Sequence, residues 1–306
     1  MKKNQKVVVT TYSGSFFLYT EISGGVQGGK GFPPPLYIDA MSESEKEEIM
    51  GTFVITGGTT GIGAEVRRKL QEQGHVVYNV DYQNGDFCAD LSKKSERQKA
   101  LQEIHNKFSD GIDGIICNAG VGPTRSAEMI FALNFFACVE MAEGVRDLLI
   151  KKNGCCVVTS SNSITNQTVR PDWVDMISNV MDEKRVLEYA REIPLEMRAS
   201  AYSSSKHALA RWVRRVSPSW AVDGLRINAV APGNTSTPMT QGMSEAQMDA
   251  ALLIPIPTRY GKREFLDAEE IANAILFLAS KEASGINGVI LFVDGGIDAL
   301  LRSERF

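Results

Sequence analysis

Between Thr52 and Asp81 the chain runs strand, glycine loop, helix, strand and acid without interruption, and few folds accept that order. Phe53-Val54-Ile55 is a short buried strand, and Thr56-Gly57-Gly58-Thr59-Thr60-Gly61-Ile62-Gly63 follows it at once. Ala64 to Gln73 is a helix-forming run stopped by Gly74, and a second strand from His75 to Val80 ends at Asp81. Glycines at a strand-to-helix turn let backbone come close to a pyrophosphate, whose charge meets the helix N-terminus. An acid about twenty residues farther on accepts hydrogen bonds from both ribose hydroxyls and repels a 2′-phosphate. A glycine loop alone is often only a tight turn. With strand, helix and terminal acid in register, the stretch reads as one dinucleotide-binding βαβ unit, with Asp81 favouring NAD over NADP.

The alternation continues to the C-terminus. Strands are expected at Phe87–Ala89, Gly114–Cys117, Cys155–Thr159, Arg226–Val230 and Val289–Val293. Between them lie helical runs at Ser95–Phe108, Met129–Ile150, Tyr202–Val216 and Ala268–Ala279. Strands separated by helices throughout imply a Rossmann-type, doubly wound parallel sheet of about seven strands with helices on both faces. A chain of 306 residues, 43% apolar, can bury such a core. Its net charge of -4 argues against a nucleic-acid or anionic-membrane partner, and no apolar run approaches the ~20 residues of a membrane span. Five unpatterned cysteines read as small core residues in a reducing cytoplasm. The three histidines lack metal-ligand spacing, so no metal site is expected.

Tyr202-Ser203-Ser204-Ser205-Lys206 is the candidate for chemistry. On a helix, residues four apart share a face, so the phenol and the ammonium stand one above the other. A neighbouring cation lowers a phenol's pKa, and bringing tyrosine from near 10 to neutrality takes on the order of 4 kcal/mol. The small serines between could let a ligand lie close to the helix. Taken alone, the pair is more commonly a packed ring under a solvated amine. Ser161 in isolation suits a strand-end turn, with Ser160 its rival for any catalytic part, and Asn134 suits a buried helix amide bonded to backbone.

Taken together, Thr56-Gly57, Gly61-Ile62-Gly63, Asn118-Ala119-Gly120, Asn134, Ser161, Tyr202, Lys206 and Pro232-Gly233 resemble the short-chain dehydrogenase/reductase family, in its order and from Thr52 onward. The resemblance implies an oxidoreductase in which Tyr202 donates and accepts the proton. It makes Lys206 the residue that binds the nicotinamide ribose and lowers the tyrosine pKa. Ser161 would hydrogen-bond the substrate oxygen and Asn134 would hold a water in the proton relay. It also places Ala89, Asp90 and Leu91 at the adenine, and Cys117 with Asn118-Ala119-Gly120 beside the adenosine ribose. Pro232-Gly233 with Thr235 or Thr237 would lie near the carboxamide. A homodimer or homotetramer is implied as well. A non-catalytic NAD-binding protein on this fold would be expected to lack the Tyr or the Lys, and both are here.

Two departures narrow the reading. The gap from Ser161 to Tyr202 holds an extra segment, about 163–200, with apolar residues at helical spacing: Trp173, Val174, Met176, Ile177, Val180 and Met181, then Val186, Leu187, Tyr189 and Ala190. Two amphipathic helices are expected there, bordering the substrate, with Trp173 and Met176 or Met181 as contacts. The segment is also expected to obstruct a helix–helix dimer surface that many relatives use. Between Gly120 and Asn134 a usual helix is lost or stunted. Both features, and the ending Asp294-Gly295-Gly296, resemble the bacterial 3α-hydroxysteroid dehydrogenase/carbonyl reductase branch. The resemblance implies NAD-linked, reversible oxidation of a steroid or bile-acid 3α-hydroxyl, with another ketone or alcohol as the alternative. Residues 1–49 differ in character, with glycine and proline clusters after a possible strand at Val7–Thr11. They are expected to be an appendage, disordered or untranslated, since the working unit starts beside Met50 and Lys46-Glu47-Glu48 can be written in purine-rich, ribosome-binding codons.

Overall fold

The computed structural model describes residues 7–12, 15–20, 50–179, 182–241, 244–262 and 265–305. They fall into two units, one within residues 1–49 and one from Met50 onward. In the first, β1 (Val7–Tyr12) and β2 (Ser15–Thr20) pair as an antiparallel hairpin.

The second unit is built on seven parallel strands: β3 (Thr52–Thr56), β4 (Val76–Asp81), β5 (Phe87–Cys88), β6 (Gly114–Cys117), β7 (Cys155–Thr159), β8 (Arg226–Pro232) and, numbered last, β11 (Ile290–Val293). Their order across the sheet is β11-β8-β7-β6-β3-β4-β5. The chain therefore winds outward from β3 through β4 and β5, then returns to place β6 on the other side. At that reversal the connections leave in opposite directions and open a crevice at the strands' C-terminal ends.

Side-chain alternation along each strand divides the core between two faces. Ile55, Ile116, Val157 and Val230 meet α1 (Gly61–Glu72) and, later in the chain, α11 (Ala268–Ala279), through Val66, Leu70, Ile271 and Ile275. Val54, Ile115, Cys156 and Val158 face α2 (Lys94–Lys107) and the helices that carry Met141, Leu148 and Trp212. Four of the cysteines are buried, whereas Cys88 is exposed.

The helix expected over Met129–Ile150 is broken. It runs as α3 (Ala127–Phe131), a π turn over Ala132–Ala137, α4 (Cys138–Gly144) and α5 (Arg146–Ile150). The π turn centres on Asn134, whose side chain reaches back to the main chain of Val121. Between Gly120 and Asn134 the only α-helix among the described residues is the short α3. The expected insertion helices exist as α6 (Pro171–Asn179) and α7 (Glu183–Arg191). α8 (Arg198–Val222) is longer than predicted at both ends: it starts at Arg198 and continues through Pro218. The carbonyl of Arg214 that loses its partner to the proline accepts the hydroxyl of Ser217 instead, at 3.1 Å. Short elements complete the unit: β9 (Thr235–Ser236) beside β10 (Leu266–Asp267), α9 (Pro238–Gln241), α10 (Glu245–Leu252) and α12 (Ile297–Leu301). No helix among the described residues is long and apolar enough to cross a membrane.

Candidate active site

The crevice at the reversal is a cavity of about 750 Å³, walled by the ends of β3, β4, β6, β7 and β8 and by the start of α8. At one end lies the glycine loop. Gly57 has φ +73° and sits so close to Ala119 that a Cβ would fall 2.7 Å from its Cα. A Cβ on Gly63 would lie 2.0 Å from the carbonyl oxygen of Gly57. Backbone packs on backbone here, and Gly57, Thr60, Gly61 and Ile62 are left facing the cavity. The first turn of α1 carries no acid and has no side-chain cap, so its N–H groups are free to meet an anion.

Gly58, Thr59, Gly63 and Cys117 brace this end rather than line it. Gly58 N–H donates to Asn79 Oδ1 at 2.8 Å, and Thr59 N–H to Asp81 Oδ2 at 2.9 Å. Asp81 lines the cavity with its other oxygen held by Tyr82 N–H at 2.7 Å. Ala89, Asp90 and Leu91 continue the same wall. Burial pushes the Asp90 carboxyl up, but hydrogen bonds from Ser92 and Lys93 outweigh it and leave the pKa below its usual value. Asn118 joins the two halves: its Nδ2 donates to Gly57 O at 3.0 Å and its Oδ1 accepts Thr159 Oγ1 at 3.0 Å. This end fits a dinucleotide, since the tight glycines, the uncapped helix and two carboxylates supply what a pyrophosphate and a ribose need.

At the other end Ser161, Tyr202 and Lys206 converge on the cavity. Ser161 lies two residues past β7 and caps the short turn Asn162–Thr165, its Oγ accepting Ser163 N–H, and Tyr202 lies one turn into α8. Lys206 is buried, and its ammonium donates to Thr159 O at 2.7 Å. The expected depression of the tyrosine pKa is not what this geometry gives. Burial pushes the phenol above its ordinary value, with the Ser161 hydrogen bond opposing, and Lys206 is itself pulled down to about 8 by burial. Ser160, the rival serine, donates to Lys206 O at 3.0 Å, which ties α8 to β7. Asn134 is fully buried and does not line the cavity; its amide is engaged by Val121 N–H, Val121 O and Ser205 Oγ. Pro232, Gly233, Thr235 and Thr237 form the remaining rim, with Thr237 against Gly61.

The insertion meets the cavity differently from expectation. Trp173 is 5% exposed, packs edge-on to Phe131 and donates from Nε1 to Tyr189 Oη at 3.2 Å. Met176 packs against the same core, and neither residue lines the cavity. Met181 lies outside the described residues. The apolar stripes of α6 and α7 are turned toward α8 and α3, where a continuous core rewards them. The insertion lines the cavity through Ser163, Asn166 and Thr168 of its polar first loop, next to Asn162, and through Ala199 at its end. The apolar side is made by Val121, Met129, Leu133 and Met239, which sequence reasoning missed. Met239 rests on Gly122, a contact brought about by the short loop after Gly120.

A family model described as short chain dehydrogenase matches residues 51–170, and one described as Enoyl-(Acyl carrier protein) reductase matches 187–298. The residues between them fall in the insertion. The chain is 32% identical over 263 residues to a 3-alpha-hydroxysteroid dehydrogenase/carbonyl reductase of Comamonas testosteroni, covering 84% of this chain and 100% of that protein. It is 28% identical to a coniferyl-alcohol dehydrogenase of Pseudomonas sp., over 80% of this chain and 95% of that one. Among solved structures, the 3-alpha-hydroxysteroid dehydrogenase from Pseudomonas sp. B-0831 complexed with NADH superposes with TM-score 0.78 at 32% identity, covering 83% of this chain and all of that one.

Proposed function

Because the chain belongs to the short-chain dehydrogenase/reductase family, we propose that it interconverts a secondary alcohol and a ketone with NAD, acting on the 3α-hydroxyl of a steroid or bile acid. The observation that carries the reading is the convergence of Ser161, Tyr202 and Lys206 on one cavity with the glycine loop and Asp81. The similarity over the whole length of the Comamonas relative supports the substrate class, and the NADH of the Pseudomonas structure supports the cofactor.

In this reading Gly57, Gly61 and the N-terminus of α1 hold the pyrophosphate, and Asp81 accepts the adenosine ribose hydroxyls. The nicotinamide exchanges a hydride with the carbon that bears the oxygen. Ser161 fixes that oxygen, and Tyr202 takes the hydroxyl proton in oxidation or returns it in reduction. Because burial raises the phenol's pKa, the phenolate needed for oxidation becomes more abundant as pH rises, and reduction is favoured lower. Lys206 supplies positive charge beside the ribose, and Asn134 keeps the Val121 turn in place beneath it. α6 packs along α8 and α7 against α3, so a homodimer or homotetramer would use another face.

A second reading has its own observation. The wall facing the substrate includes Asn162 and Asn166, and Ser163 Oγ is buried with no hydrogen-bond partner. A flat apolar ring would leave those groups desolvated, whereas a smaller oxygenated carbonyl compound would pair them. One experiment separates the two: turnover of 3α-, 3β-, 7α-, 12α- and 17β-hydroxysteroids and of small oxygenated ketones, with NAD and NADP. Preference for a 3α-hydroxysteroid with NAD is expected, and Tyr202→Phe should lower kcat roughly 10²- to 10⁴-fold while NAD still binds. Preference for NADP, or a Tyr202→Phe enzyme with most of its turnover, would sink the reading.

A further inference from the structure

Arg97, on α2, lines no part of the cavity, yet it is fully buried and all five of its N–H groups find acceptors. Nε donates to Glu140 of α4 at 2.5 Å. Nη1 donates to the main-chain oxygens of Leu91 at 3.1 Å and Ser92 at 3.4 Å. Nη2 donates to both carboxylate oxygens of Glu183, the first residue of α7, at 2.8 and 2.6 Å. Leu91 itself lines the cavity beside Ala89 and Asp90. One guanidinium thus joins the wall at the Asp81 end of the cavity to the insertion, whose first loop lines the opposite end.

Arg97 is buried while Glu140 and Glu183 are partly exposed, and burying a guanidinium is costly where apolar packing of the same volume usually does as well or better. Its value lies in geometry: a planar fork with five directed donors fixes four segments relative to one another. The loop from Ala89 to Ser92 follows a strand of only two residues, β5, and is held by Ala89 N–H on Asp81 O at 2.8 Å and by Ser92 on Asp90. Arg97 adds the bonds to the Leu91 and Ser92 carbonyls that tie this loop to the insertion.

We propose that Arg97 is a positioning residue for the dinucleotide site: by clamping the Leu91–Ser92 main chain to Glu183 of the insertion, it sets the affinity for the adenosine half of the cofactor. The proposal rests on the dinucleotide reading given above. It makes the insertion a support for the cofactor as well as a border of the substrate.

The test uses the full chain with Glu183→Gln, Glu183→Ala and Arg97→Lys. Glu183→Gln keeps the shape and loses the charge, and it leaves the Arg97–Glu140 pair in place, so folding is preserved. Binding of ADP-ribose is measured by calorimetry, alongside the KM for NAD, the KM for the alcohol, kcat and Tm. The expected result is an ADP-ribose Kd and an NAD KM raised about ten-fold in Glu183→Ala, and several-fold in Glu183→Gln and Arg97→Lys. At saturating NAD, kcat and the alcohol KM should stay within about two-fold. A fall in Tm with unchanged ADP-ribose Kd and NAD KM would make Arg97 a structural strut and overturn the proposal. Wild-type protein that binds neither ADP-ribose nor NAD would remove the dinucleotide reading itself.

Discussion

Lys206 carries its ammonium where little water reaches it, and burial pulls its pKa down to about 8 from 10.5. Between those values the unfolded chain holds a proton that the folded chain has released, so this residue's contribution to stability rises with pH across that window. Four buried thiols work the other way. Burial pushes Cys155 up to about 11, and Cys117, Cys138 and Cys156 are also raised above 9. The unfolded chain loses those protons first, so their contribution falls as the solution becomes alkaline. The net slope mixes both effects, and Lys206→Met isolates the lysine. From pH 8 to 10 wild type should gain roughly 2 to 3 kcal/mol on the variant, read from urea midpoints. Parallel curves for the two proteins would mean that Lys206 titrates normally and is better hydrated than its 5% exposure suggests.

α8 shows how one element serves two purposes. Tyr202 and Lys206 face the cavity, while two of the serines between them hold the insertion: Ser203 Oγ meets Thr168 Oγ1 at 3.0 Å, and Ser204 Oγ accepts Arg170 N–H at 2.9 Å. Those serines read from the sequence as small spacers, and Ser203 does line the cavity, but their hydroxyls are committed to fastening the insertion loop. Trp173, three residues beyond that fastening, belongs to the core. Trp173→Ala should therefore cost about 3 to 5 kcal/mol and leave the alcohol KM within two-fold. A raised KM in a variant of unchanged stability would return Trp173 to the substrate wall. The contrast shows what periodicity reveals. Spacing of three and four identified α6 and α7 correctly, because an apolar stripe requires some surface to bury it. It could not say whether that surface was a core or a cavity. The glycine loop and the strands were legible because they depend on local backbone geometry. The Asn166 and Thr168 wall lies in a loop without period, and the Arg97–Glu183 pair joins residues 86 apart, so neither left a pattern to read.

At the scale of the molecule, the site follows from the winding of the sheet. The reversal between β3 and β6 opens the crevice, and every residue facing it lies between Gly57 and Thr240. Both faces of the sheet have their own core, drawn from residues between Phe53 and Ile297. The unit from Met50 onward therefore contains its strands, its core and its candidate site, and it is large enough to bury a stable interior alone. The β1–β2 hairpin belongs to the other unit, and an isolated two-stranded hairpin contributes little stability of its own. A chain lacking residues 1–49 is accordingly expected to fold, to melt within a few degrees of the full chain, and to keep kcat and both KM values within about two-fold. Circular dichroism melts and steady-state kinetics on the two chains check this directly. Loss of turnover with the melt unchanged would assign residues 1–49 a part in substrate or cofactor handling, and loss of folding would make them part of the scaffold.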